Sequence, residues 1–296
     1  MERSDSFSSI LVVLFSGFYS FVFILSTVGN IWVLVTCYKT LKQRHSPFMW
    51  LLANLASADL CFTILTIFNS IAFLWQWVGG NITCKLQGFL IEASYTSTII
   101  TLLTISYERL KVTSNPINAL VKRWPEKQYF KLIIIWSCSL LICLPLLFIY
   151  RVETQQNSVM CLARKRTNFF PQIFYSVHTT IFFVAPLVYM IYTQSCIFRT
   201  LRVASIPTTA FITHSKQRQR KIAKTLSALT MAFVICWSPF MVIRTLIYFS
   251  LASPDFAWKM SQLLIFLNSG LDPLLYGYYG GHLTSCLRPR LTCWCQ

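Results

Sequence analysis

Acidic residues are scarce in this chain: 9 Asp and Glu stand against 26 Lys and Arg among 296 residues, and charged residues of both signs make up only 12%. A soluble domain carries about a quarter charged residues, so a surface facing water on all sides is excluded. Long polar stretches are lacking too, which leaves no loop large enough for a second folded domain. No inverted internal repeat of the transporter kind is visible. A cleavable leader is not expected either, because the first apolar run from Ile10 is too long and has no small-residue cleavage site ahead of its own polar residue, Asn30.

What is there is hydrophobic: 55% of the residues are apolar, with a mean hydropathy of +0.56. The apolar residues fall into seven stretches, roughly 10–38, 47–75, 84–110, 129–150, 170–198, 224–251 and 257–280. Each is long enough to cross a hydrocarbon core as a helix, which takes about 20 residues. The spacing predicts a single seven-helix unit over 1–296, with an amino-terminal tail of about 1–9 and a tail at 281–296. Each stretch also carries a residue that an inert span has no reason to hold: Asn30, Asp59, Arg109, Trp136, Pro186, Pro239 and Pro273. Charges at membrane depth cost a few kcal/mol or more, so Asp59 and Arg109 imply function.

A net charge of +17 could suggest nucleic acid, but the basic residues sort by connection. Lys39, Lys42 and Arg44 follow the first span, five more from Lys111 to Lys131 follow the third, and seven from Arg199 to Lys224 follow the fifth. With Arg109, Arg288 and Arg290, 18 of the 26 lie on one side, which the positive-inside rule assigns to the cytoplasm. The amino terminus is then extracellular, the solvent is a lipid bilayer, and nucleic acid is not a partner.

Of 11 cysteines only Cys84 and Cys161 fall on the oxidising side, so a bridge between them is expected to tie the loop after the fourth span over the bundle. Cys286, Cys293 and Cys295 sit in the basic tail, as palmitoylation candidates or free thiols. Asn81-Ile82-Thr83 is a glycosylation sequon on the outer side, set close to the membrane.

In order along the chain stand Gly29-Asn30, the run from Leu55 to Asp59, Glu108-Arg109-Leu110, Trp136 and Pro186. Phe233, the run from Cys236 to Phe240, and the run from Asn268 through Asp272-Pro273 to Tyr276 complete the series. With 25 residues from Cys84 to Arg109, this pattern resembles a rhodopsin-like (class A) G-protein-coupled receptor over almost the whole chain, most like the neuropeptide-receptor branch. The resemblance implies an all-α membrane protein, a seven-transmembrane helix bundle with a short amphipathic eighth helix. It also implies a plasma-membrane protein that is no enzyme, and a heterotrimeric G protein as partner.

The same resemblance assigns the activation switch to Glu108, Arg109, Phe233, Trp237, Pro239, Asp272, Pro273 and Tyr276. Arg109 can pair with the adjacent Glu108 or reach into a cleft opened by helix motion. Pro239 removes a backbone hydrogen bond, so a small shift near Trp237 becomes a larger outward swing of the basic end of the sixth helix. Asp59, Thr98, Asn268, Ser269 and Asp272 are placed in one pocket suited to a sodium ion, or else in a polar network that only packs the helices; no other cofactor is expected. Four positions depart from the pattern: Leu110 stands for the usual tyrosine, Asp272 for the more usual asparagine, Gln194 for a tyrosine that supports the active state, and Gln219 for an acidic partner of Arg109.

Absences narrow the ligand. No lysine lies between Met260 and His282, which excludes a retinal Schiff base in the seventh helix. Ile91 stands where amine receptors place an aspartate, which argues against a monoamine. The remaining face is amphipathic and aromatic, with Gln87, Ile91, Glu92, His178, Phe240, Arg244, Trp258 and Gln262 as candidate contacts, and it suits a small peptide. Arg244 is expected to meet a ligand carboxylate, or else to pair with Glu92 or face lipid headgroups. The alternatives are a lipid or other small-molecule ligand and, outside receptors, a seven-helix transporter or channel.

Overall fold

The computed structural model describes residues 2–43, 46–114, 126–155, 158–163, 169–203, 210–249, 251–252 and 256–279. Six of its helices are long and apolar enough to cross a membrane. The first is Glu2–Gln43, the second Pro47–Leu74 and the third Asn81–Ser114. The fourth is Glu126–Cys143 with one further turn, Leu146–Ile149. The fifth joins Phe170–Thr179 and Ala185–Val203 through a π-helical turn, Thr180–Val184, and the sixth is Ala210–Tyr248. A last helix, Phe256–Tyr279, is not among the six, because Lys259, Gln262, Asn268 and Asp272 interrupt its apolar run. It packs against the first, second and sixth helices all the same.

Several bounds differ from the sequence reading, for a common reason. Hydropathy marks the length held in hydrocarbon, whereas a hydrogen-bonded helix runs on until something stops it. Residues 2–9, expected as a tail, are therefore helical. The sixth helix begins at Ala210 rather than near 224. The fourth span reaches Ile149, close to the expected 150, but is interrupted after Cys143, where Pro145 disfavours helical backbone at Leu144. The eighth helix, the tail and its Cys286, Cys293 and Cys295 lie outside the described residues.

The chain is not wholly α. Strands β1, Tyr150–Gln155, and β2, Ser158–Ala163, form an antiparallel pair with Val152 opposite Cys161. This hairpin marks one end of the bundle, and Arg109 marks the other, basic end.

In lipid there is no hydrophobic force between helices, so they meet through small and polar side chains and through close packing. The third helix is the axis, with Ser94, Ser97, Thr98, Thr101 and Ser106 buried. Hydroxyls that find no other helix bond back to their own, as Ser94 and Thr104 do to the carbonyls of Leu90 and Ile100. Asn54 Nδ2 donates to Thr101 Oγ1 at 2.8 Å and its Oδ1 accepts from Trp136 Nε1 at 2.8 Å, which joins the second, third and fourth helices. Asn30 Nδ2 donates to the Ser269 carbonyl at 3.0 Å, fixing the first helix to the last. Gly29 allows that approach, since a Cβ there would stand 2.7 Å from Pro273 Cβ. The opposite face of the first helix exposes Val13, Phe21, Ile24, Val28, Ile31 and Val35, as a lipid-facing stripe does.

Candidate functional site

At the hairpin end, Cys84 in the first turn of the third helix is disulfide-bonded to Cys161 of β2 with their Cα atoms 5.6 Å apart. Two hydrogen bonds reinforce the tie: Trp77 N–H donates to the Val159 carbonyl at 2.8 Å, and Val152 N–H donates to Asn81 Oδ1 at 3.2 Å. Asn81 opens the third helix and is exposed. Gly88 leaves room for the Tyr150 ring, which would meet a Cβ there at 2.5 Å. Tyr150 also accepts a hydrogen bond from Tyr175 at 3.2 Å, so the hairpin is keyed into the third and fifth helices.

Below the hairpin, three ionisable side chains from three helices converge. Arg244 Nη1 donates to Glu92 Oε1 at 2.5 Å, and His178 Nδ1 lies 4.0 Å from Glu92 Oε2. His178 Nε2 pairs with Thr96 Oγ1 at 3.2 Å. Arg244 is only 3% exposed, and its guanidinium lies 4.7 Å from the Tyr175 ring centroid and 5.1 Å from that of Phe240. In this structure the Arg244 guanidinium is paired with Glu92 inside the bundle. Burial explains this, because a charge at that depth is costly unless it is paired.

The other candidate contacts divide. Gln87 points to the second helix, donating to the Leu65 carbonyl at 3.0 Å and Asn69 Oδ1 at 2.8 Å. Ile91 packs part-buried on the core, and Phe240 stacks on Trp258 at 5.0 Å between centroids. Gln262 is half-buried on the last helix. Tyr95 was missed. It lies one turn below Ile91 on the same face, a spacing that could have revealed it. Its ring is 4.1 Å from that of Trp237, and its hydroxyl donates to the carbonyl of Phe182, within the π-helical turn, at 2.9 Å. Phe62, Phe233 and Phe240 surround Trp237 at about the same spacing, 6.0 to 6.1 Å.

In the middle of the bundle Asp59, Thr98, Asn268, Ser269 and Asp272 are all buried. Asp59 and Asp272 lie close enough for each carboxyl group to act on the other, and two buried carboxylates this near need a proton or a cation to share their pocket. Asp59 Oδ2 and Asn268 Oδ1 have no hydrogen-bond partner among the described residues. No group of three or more His, Cys, Asp or Glu suited to a metal exists among the described residues. A cation here would therefore be met by mixed carboxylate, hydroxyl and amide oxygens, which suit a hard ion.

At the basic end, Glu108 forms an ion pair with Lys131 of the fourth helix, and the Arg109 guanidinium stands 4.2 Å over the Phe48 ring of the second. The carboxylate adjacent to Arg109 is thus engaged by another cation. Pro239 and Pro273 lie inside the sixth and last helices. Tyr276 is buried on the last helix, its hydroxyl without a hydrogen-bond partner among the described residues.

Residues 29–276 match the family model described as 7 transmembrane receptor (rhodopsin family). The chain is 25% identical to galanin receptor 2b of Danio rerio over 95% of its own length and 75% of that protein's. It is 27% identical to neuropeptide FF receptor 1 of Homo sapiens over 92% of this chain and 68% of that one. Against C-X-C chemokine receptor type 2 of Canis lupus familiaris it is 27% identical over 88% and 74% respectively.

Proposed function

The chain belongs to the rhodopsin family of seven-transmembrane receptors, and from that premise we propose that it is a plasma-membrane receptor for a small peptide that passes agonist binding to a heterotrimeric G protein. The observation that carries the ligand class is the alignment over 88% to 95% of the chain with receptors named for galanin, neuropeptide FF and chemokines. On this reading the last helix crosses the membrane as a seventh span, with Ser261, Asn268, Ser269 and Asp272 turned to the bundle. The amino terminus and the hairpin are extracellular, and the basic end is cytoplasmic. The tail then supplies an amphipathic eighth helix, with Cys286, Cys293 and Cys295 as its acylation sites, and Asn81 carries a glycan.

The ligand enters over the hairpin and meets Ile91, Phe240, Trp258 and Gln262, then Tyr95 and Trp237. A shift of Trp237 against Tyr95 is levered at Pro239, which lacks the N–H that would bond the Ile235 carbonyl, into outward movement of the basic end of the sixth helix. Arg109 leaves Phe48 and faces the G protein. Asp59, Asp272, Thr98, Asn268 and Ser269 would hold a sodium ion, which would supply the positive charge that two buried carboxylates require. Sodium should then weaken agonist binding in wild type and leave Asp59→Asn insensitive, read as agonist affinity against sodium concentration.

A peptide library screened on cells expressing the chain tests the reading, with G-protein activation followed for each Gα class. Peptide-dependent activation is expected, and Arg109→Ala should abolish it while leaving peptide binding within about threefold. A response to lipids or small molecules alone would replace the ligand class. Solute flux without any G-protein response would replace the receptor reading.

A further inference from the structure

Gln194 lies in the half of the fifth helix toward the basic end and is buried. All of its hydrogen-bonding groups are directed at the sixth helix and none at its own. Nε2 donates to Thr230 Oγ1 at 2.6 Å and to the Leu226 carbonyl at 3.2 Å, while Oε1 accepts from Ser227 Oγ at 3.2 Å. Thr230 Oγ1 makes a further contact to Met190 Sδ, one turn along the fifth helix, at 3.8 Å. A primary amide has two N–H donors, and here both are used within a span where water cannot replace a lost partner. Any movement of the sixth helix away from the fifth at this level exposes an unpaired amide and an unpaired hydroxyl to hydrocarbon.

The placement links this cluster to the Trp237 end of the same helix. Thr230 lies seven residues, two helical turns, from Trp237 and so shares its face. Residue 219, at the basic end of the sixth helix, is Gln219, which has no carboxylate to bridge toward the third helix.

We propose that Gln194 is a latch: its hydrogen bonds to Leu226, Ser227 and Thr230 clamp the sixth helix to the fifth, and their strength sets the receptor's signalling level without ligand. Gln194 is a positioning residue in this scheme, and the scheme rests on the receptor reading above.

The test uses the full chain in lipid nanodiscs, with spin labels on noncanonical amino acids at Thr200 and Lys224, both exposed. Pulsed dipolar spectroscopy then reads the distance between the basic ends of the two helices with no ligand or G protein present. Gln194→Leu should raise the separated population about three- to tenfold, the effect of losing one or two net hydrogen bonds. Thr230→Val should shift it in the same direction, and adding Thr230→Val to Gln194→Leu should add nothing. Basal nucleotide exchange on purified heterotrimers should rise in parallel. An unchanged distribution in these variants overturns the latch, as do additive shifts in the double variant. If Gln194→Leu does not fold, Thr230→Val and Ser227→Ala decide the matter, since each removes one bond and leaves the amide in place. A distance shift without exchange on a heterotrimer of any Gα class keeps the latch and overturns the G-protein reading.

Discussion

Arg244 and Glu92 are the residues whose meaning changes most between sequence and structure. A lone arginine seven residues from Trp237 on one helical face reads as a ligand contact; 152 positions back in the chain, Glu92 engages it first. The pair is almost fully buried, so its value lies in mutual neutralisation rather than in net stabilisation. Arg244→Met should therefore destabilise the protein by about 3–5 kcal/mol, because Glu92 is left charged and unpaired. Glu92→Gln combined with Arg244→Met should recover most of the loss. Thermal unfolding of the purified protein without ligand reads both variants. Losses that simply add would mean that the two side chains do not act as a pair.

Among the elements, the hairpin owes its place to attachments rather than to its own pairing. A two-stranded ribbon is marginal alone, and this one is held by the Cys84–Cys161 bridge, by Trp77 and Asn81, and by the Tyr150 ring over Gly88. Cys84→Ala and Cys161→Ala should each reduce surface expression, and the double variant should be no worse than either single one, since one bond is lost in all three cases. Flow cytometry of an epitope-tagged chain measures this. Additive losses would mean that each thiol serves some other partner. The strands themselves were not foreseen, because Tyr150–Gln155 follows an apolar run that hydropathy assigns to the fourth span. Pro145 only interrupts that span, and the strand starts where the following turn, Leu146–Ile149, ends.

For the whole molecule, orientation follows from charge. With the basic end in the cytoplasm, an amino-terminal epitope should bind antibody on intact cells, and one inserted between Ser114 and Glu126 should bind only after permeabilisation. The opposite labelling pattern would invert the topology and with it the placement of ligand and G-protein faces.

Much of the fold was legible in the sequence because it depends on local quantities. Hydropathy over about 20 residues locates membrane helices without knowledge of their neighbours, and Pro239 and Pro273 weaken their own helices wherever these pack. The sidedness of cysteines was enough to choose Cys84 and Cys161 from 11. Partners were another matter. Whether Glu108 meets Arg109 or Lys131, whether Arg244 meets solvent or Glu92, and whether Gln194 faces lipid or the sixth helix depend on how each helix is rotated about its axis. That rotation is set by packing of all the helices at once. A polar side chain in hydrocarbon takes whichever partner the packing brings within about 3 Å, and only the assembled bundle decides which one that is.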